Sequence, residues 1–390
     1  MKKVYLDYSA TTPMKKEVLD EMLPYFTEFF GNPSSIHSFG RESRKAVDKA
    51  RDQIAKTFGA KSDEIFFTAG GTESDNWAVK GVAYAMKDKG NHIITTKIEH
   101  HAVLHTCEQL AKEGFEVTYL DVDKYGLISL EDLKNAIKDN TILISVMFAN
   151  NEIGTMQPIK EIGEIAKERG IIFHSDAVQA YGNTNVNVDE LGLNLVSISS
   201  HKVYGPKGIG ALYIRRGTKI LPFIHGGAQE KRRRAGTESV ASIVGFGKAA
   251  ELAYDNLDKH VEKLISFRTK LMDALLQIPY SHLNGHPTKR LPGNVNISFE
   301  FIEGESLLLS LDMVGIGASS GSACTSGSLD PSHVLMAIGL SHEVAHGSLR
   351  LTIGEFTTDD EIDYVIENLP PIVDRLRQMS PLYEKVKGGK

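Results

Sequence analysis

The chain predicts an α/β fold with a mostly parallel, buried sheet, followed by a smaller α+β domain. Three observations carry this. Short, almost continuously apolar segments recur at 65–68, 92–96, 117–120, 142–148, 171–174, 195–199 and 211–214, and runs of that kind are strands covered on both faces. Segments with apolar residues at helical spacing lie between most of them, the alternation of a parallel sheet. From about Ala241 that alternation stops, in a chain of 390 residues that is long for one domain.

Taken in order, residues 4–7 read as a short strand and Gly31-Asn32-Pro33-Ser34-Ser35 as a loop. Residues 41–58 place Val47, Ala50, Ile54 and Phe58 on one helical face. Gly70-Gly71-Thr72 joins strand 65–68 to a helix through Trp77, Val79 and Ala83. Helical patterns at 101–112, 130–137 and 159–168 connect the later strands. Beyond 241, one long helix is expected through Leu252, Val261, Leu264 and Leu271, then a strand at 295–299 and a helix at 305–311. A glycine- and serine-rich loop at 315–328, a strand at 349–353 and a helix at 358–377 complete the chain.

Composition narrows the class. A net charge of −6 gives no general attraction to nucleic acid or an anionic membrane. The basic run Lys231-Arg232-Arg233-Arg234 reads as a solvated loop or an anion contact. No apolar run approaches the roughly 18 residues of a membrane span, and MKKVYLDYSATTP has too short an apolar core for a secretory signal. The two cysteines, Cys107 and Cys324, form no metal spacing. A cytoplasmic, reduced protein without structural disulfides is expected.

In a parallel α/β sheet, ligands bind off the carboxyl ends of the strands. Gly70-Gly71-Thr72 at one such end leaves helix amides free for a phosphate, or is a tight turn capped by Thr72. Asn150-Asn151 follows strand 142–148, Asp176 and Gln179 follow strand 171–174, and Lys202 follows strand 195–199. A lysine beside Ser199, Ser200 and His201 at the end of a buried strand loses its proton readily and can form a Schiff base; a surface lysine on a turn is the alternative. A phosphate cradle, an acid, an amide and a lysine together suit pyridoxal phosphate, whose aldehyde takes the lysine and whose ring nitrogen takes the acid. His100 can lie over the cofactor face and shuttle protons. His101 and His105, four apart on a helix, suggest metal, but no HExxH pattern or third ligand supports it.

Cys324, in the small-residue stretch 319–327, suits a nucleophile that must travel. Cys107, among Val103, Leu104 and Leu110, reads as a core residue. Arg350 could hold a substrate carboxylate in a bidentate pair or serve a structural ion pair. Thr237, in Arg234-Ala235-Gly236-Thr237, resembles an anion-binding turn supplied by a neighbouring subunit.

These motifs resemble the IscS/NifS-type cysteine desulfurases, class V members of the fold-type I pyridoxal-phosphate enzymes. The resemblance runs along essentially the whole chain, through YLDYSATTP (5–13), FGNPSS (30–35), TESDN (72–76), EHHAVL (99–104), NNEIG (150–154), DAVQ (176–179), SSHKVYGPKGIGALY (199–213), HGG (225–227), RAGTES (234–239) and SSGSACTSGSL (319–329). It implies a fold-type I transferase whose large domain, 15–250, holds a mostly parallel seven-stranded sheet. The smaller α+β domain, 1–14 with 251–390, would carry the cysteine loop. Lys202 would hold the cofactor aldehyde, His100 stack on the ring, Asp176 pair its nitrogen and Gln179 its hydroxyl. Gly71, Thr72, Ser199, His201 and a partner's Thr237 would hold its phosphate. Asn151, also near the cofactor, and Arg350 would bind the carboxylate of L-cysteine.

Cys324 would take the sulfur as a persulfide, releasing L-alanine and delivering sulfur to an acceptor such as an IscU-like iron–sulfur scaffold, with tRNA thiolation as a further destination. The resemblance implies a cytoplasmic homodimer with no metal site of its own, although Cys324 could transiently ligate a cluster shared with the scaffold. Neither nucleic acid nor a membrane is expected as a partner. Glu355 stands where the family frequently has a basic residue, and Gly71 where it often has alanine. A selenocysteine lyase and a non-enzymatic scaffold are the competing readings.

Overall fold

The computed structural model describes residues 2–320 and 331–388; Cys324 lies outside them. Its strands are β1 (Val4–Tyr5), β2 (Ile65–Thr68), β3 (His92–Thr96), β4 (Glu116–Leu120), β5 (Thr141–Ser145), β6 (Ile172–Asp176), β7 (Leu195–Ser199), β8 (Gly210–Ile214), β9 (Ser281–Leu283), β10 (Asn294–Phe299), β11 (Ile316–Gly317) and β12 (Ser348–Thr352). Seven form one sheet in the order β2-β8-β7-β6-β5-β3-β4. Only β8 runs against its neighbours; every other pairing is parallel. This is the mostly parallel seven-stranded sheet expected from the sequence.

The two-residue period of a strand explains why these segments are apolar throughout. Ile94, Ile144, Val196 and Ile198 face a layer containing Val47, Ile54, Phe58 and Phe246. Their neighbours Ile93, Leu143 and Leu195 face the opposite layer, with Trp77, Val103 and Leu110. On the first face, helix Ser38–Phe58 meets helix Val240–Asp255 closely enough that a Cβ on Gly247 would stand 2.6 Å from the Cα of Ala50.

A buried ion pair ties this layer to the sheet. Arg51 Nη1 and Nη2 each donate to Glu230 at 2.7 Å, and Glu230 also accepts from the Phe67 amide at 3.0 Å. The side chains are 7% and 2% exposed. Glu230→Ala would strand a buried guanidinium, so a loss of about 3–5 kcal/mol is expected. Urea unfolding followed by tryptophan fluorescence checks this; a loss below about 1 kcal/mol would mean the pair behaves like a surface bridge.

The second core combines both ends of the chain. β1 pairs in parallel with β11, and β12, β10 and β9 form an antiparallel sheet. Val4 and Leu6 join Leu264, Leu271, Val295, Phe299, Leu349, Leu351 and Val365. The single long helix expected after Ala241 is two helices, Val240–Asp255 and Leu257–Leu275. Asn256, at φ −127° and ψ 20°, breaks the path. Asparagine competes well for such non-helical positions, while apolar spacing continues on both sides and hides the break.

Candidate active site

The carboxyl ends of the parallel strands open on one cavity of about 290 Å³. β2 delivers Gly71 and Thr72, the first residues of helix Gly71–Ala85. β3 leads to His100, which caps helix His101–Lys112 by accepting from the Ala102 amide at 3.1 Å. β5 is followed by Asn151, β6 ends on Asp176 with Gln179 one turn beyond, and β7 ends on Ser199 before His201 and Lys202. All of these, together with Arg350 of β12, line the cavity.

At the cradle, a Cβ on Gly71 would stand 2.8 Å from Val178 Cγ2, so a larger residue would close the space beside the helix N-terminus. The next acid, Glu73, is neutralised there. It accepts from the Ala69 amide at 2.9 Å and takes Arg234 Nε and Nη2 at 2.8 and 3.0 Å. The basic run thus contributes one cation, Arg234, beside the N-terminus of this helix.

The Lys202 ammonium donates to the carbonyls of Ser9 and Ala10, the latter at 2.8 Å. Gln179 Nε2 donates to the same Ser9 carbonyl at 2.9 Å. Arg350 Nη2 pairs with Asp7 Oδ1 at 2.9 Å and Nη1 donates to the Asn151 carbonyl at 3.1 Å. Arg350 therefore makes the ion pair weighed from the sequence while also lining the cavity. Its buried Nε has no hydrogen-bond partner among the described residues. Asn150, by contrast, shapes the turn: its amide donates to the Ile98 carbonyl and its oxygen accepts from the Glu152 and Ile153 amides.

Burial sets the protonation states. His100 and His201 are each pushed down to about 4, first by burial and then by the Lys202 charge, so both are neutral at pH 7. Three buried carboxyls lie near one another. Burial raises Asp176 to about 6, opposed by the Val178 amide and Lys202, and raises Glu99 to about 8. Asp75 is raised well above the carboxylate range by burial and by Asp176. Its Oδ1 has no hydrogen-bond partner among the described residues and lies 3.6 Å from His174 Nε2. His174, held near 3 by burial, is neutral between Ser145 and Ser197. Asp176 is thus the group that carries the negative charge, and Asp75 and Glu99 keep their protons.

Glu99 allows a pH test. Its folded pKa lies above its unfolded value, so the folded protein holds the proton more tightly, and this contribution is present at acid pH and lost as pH rises through about 8. Glu99→Gln cannot lose that proton. The melting temperature of wild type relative to Glu99→Gln should fall between pH 5 and pH 8.5; a constant difference would show that Glu99 is ionised throughout.

Two expected residues are not among the lining that the described residues form. Thr237 is exposed and absent from the lining, and Cys324 lies outside the described residues. His101 has His105 and His333 ring centroids at 4.9 and 4.8 Å, yet no group of three or more ligands suited to a metal occurs among the described residues. Sequence reasoning gave no role to Ser9, Ala10, Asp75, Glu99 or Asp7. Ser9 and Asp7 sit in the quoted YLDYSATTP stretch, but their partners are far along the chain. No helix among the described residues is long and apolar enough to cross a membrane.

Comparison with known proteins gives concordant results. Residues 4–365 match the family model for aminotransferase class V. The chain is 61% identical over 384 residues to "Cysteine desulfurase IscS" of Methanosarcina thermophila, covering 98% of this chain and 95% of that one. It is 57% identical over 390 residues to the protein of the same description from Dictyoglomus turgidum, covering 100% and 99%. Among solved structures, a "NifS-like protein" matches with a TM-score of 0.91 at 38% identity, covering 96% of this chain and 100% of that one. "SspA in complex with cysteine" matches with a TM-score of 0.82 at 38% identity, covering 91% and 100%.

Proposed function

Because the chain belongs to the class V aminotransferase family, and within it to the IscS-type cysteine desulfurases, we propose that it converts L-cysteine to L-alanine and keeps the sulfur as a persulfide on Cys324. The observation that carries this is the meeting of Lys202 and Asp176, from the ends of adjacent strands, in one cavity of about 290 Å³.

The residues present fit pyridoxal phosphate. Lys202 would hold its aldehyde, Asp176 its ring nitrogen, Gln179 its ring hydroxyl, and His100 would lie against the ring with Asn151 nearby. Gly71, Thr72, Ser199 and His201, with Thr237 from a second copy of the chain, would hold its phosphate. When bound, the cofactor supplies an electron sink for the carbanion formed at the substrate Cα.

The chain's own groups do the rest. Arg350, which lines the cavity beside Asn151, takes the substrate carboxylate. Lys202 removes the Cα proton, and Ser9 and Ala10 carbonyls hold its amine at the cavity floor. His100, neutral at working pH, accepts and returns a proton at the substrate thiol. Asp176 stays anionic because its two acidic neighbours stay protonated. The Cys324 thiolate bonds to the substrate sulfur as the carbon–sulfur bond breaks, and a proton returned to carbon completes alanine.

The same reading takes the protein as a cytoplasmic homodimer that passes sulfur to an acceptor such as an iron–sulfur scaffold, with tRNA thiolation as a further outlet. Exposed Phe26, Phe30, Ile36 and Phe39 offer an apolar face for the second copy. It also keeps the division into 15–250 and 1–14 with 251–390. The test is an absorbance spectrum before and after L-cysteine, with alanine and sulfide assayed. A cofactor band that shifts, with both products formed, is expected; a colourless protein, inert with added pyridoxal phosphate, would leave the scaffold reading.

A further inference from the structure

A second cavity, of about 280 Å³, lies between the two cores and shares Ser9, Gln179 and Lys202 with the catalytic one. This is near the lower end of the size range of small-molecule sites. Its remaining wall is strongly cationic. Lys15, Lys259 and Lys263 face Glu355, the one carboxylate among the described lining residues. Three ammonium groups against one carboxylate leave a charge of about +2. His260 adds none at neutral pH, since burial lowers its pKa.

That surplus attracts an anion. Lys15 is 11% exposed and pairs with Glu355 at 2.6 Å, and Lys263 donates to the Glu355 backbone carbonyl at 2.7 Å. Lys259 is exposed and has no ion pair or hydrogen bond among the described residues, so its ammonium stands at the cavity wall without a protein counter-charge. Lys259 also lies in the first turn of helix Leu257–Leu275, where the helix dipole disfavours a cation and Asp258 is the acidic residue beside it. An anion of charge −2 would offset both terms. Tyr204 and Leu252 supply apolar surface for its carbon skeleton.

We infer that this cavity binds a compact organic dianion, a phosphomonoester or a dicarboxylate, and that the occupant acts on catalysis through the shared wall. The link is the Ser9 carbonyl, which accepts from both Lys202 and Gln179. A ligand held against Ser9 and Gln179 bears on the position of the Lys202 amine, and the coupling is reciprocal between the two sites.

The test is calorimetric titration of the purified holoprotein with glycerol 3-phosphate, succinate and, as a monoanion control, acetate. At least one dianion should bind saturably in the millimolar range or below, and Lys259→Glu should weaken it by about tenfold or more, since it reverses a charge at the site. Alanine formation without ligand should be unchanged in Lys259→Glu, and the bound dianion should shift the KM for L-cysteine in wild type only. Binding by glycerol 3-phosphate alone identifies a phosphomonoester site, and by succinate alone a dicarboxylate site. No saturable binding of either, or equal binding by Lys259→Glu, overturns the inference. The latter result would put the anion at Arg350 or the phosphate cradle. Because binding is read directly, it stands or falls separately from the desulfurase activity.

Discussion

Replacing Lys202 by alanine is expected to lower L-alanine formation by about 10³-fold or more. The substitution removes at once the amine that holds the cofactor and the base placed at the substrate Cα, and proton transfer by a positioned group alone contributes about 10²–10⁴-fold. Borohydride should fix no pyridoxal phosphate to the variant chain, whereas it should fix about one per chain in the wild type. The fold should survive, since the amine lines the cavity and its bonds to the Ser9 and Ala10 carbonyls join no core element. A variant that keeps normal turnover, or whose cofactor is still fixed by borohydride, would remove Lys202 from its assigned role.

Replacing Cys324 by alanine is expected to abolish persulfide on the chain and to lower alanine formation by about 10²-fold or more, leaving cofactor content unchanged. The chain offers no substitute nucleophile. Its other cysteine, Cys107, is fully buried in the layer with Trp77 and Leu110, and burial pushes its thiol up to about 12. It neither ionises nor meets a substrate at neutral pH. Mass spectrometry of the intact chain after addition of L-cysteine reads the bound sulfur directly. Full alanine yield from the variant would mean that sulfur leaves to solvent or to another acceptor. Together the two variants separate the halves of the reaction, since one loses the cofactor and the other keeps it.

Much of the site was legible because its groups sit at strand ends. Asp176, Ser199, Lys202 and the Gly70-Gly71-Thr72 turn each follow an apolar run, and a parallel sheet gathers such ends on one side. The identities of these groups then pointed to one cofactor. The break at Asn256 was hidden because apolar spacing continues through it. Arg350 left two readings open; the structure shows the ion pair, with Asp7, 343 residues earlier, and Arg350 also lines the cavity. Ser9 has no chemical signature of its own; it matters through a backbone carbonyl that every residue carries.

The sequence by itself determined the fold class, the order of the strands along the chain and the candidate side chains for the site. Apolar periodicity and functional-group chemistry are local properties, and they can be read residue by residue. Only the tertiary structure decided which groups are charged and which are paired. Asp75, Asp176 and Glu99 are alike as letters, and they differ because burial, the Val178 amide and the Lys202 ammonium act on them unequally. The cationic cavity bounded by Lys15, Lys259, Lys263 and Glu355 likewise exists only once distant segments meet, because electrostatic energy depends on distance and dielectric in the folded chain and not on separation along it.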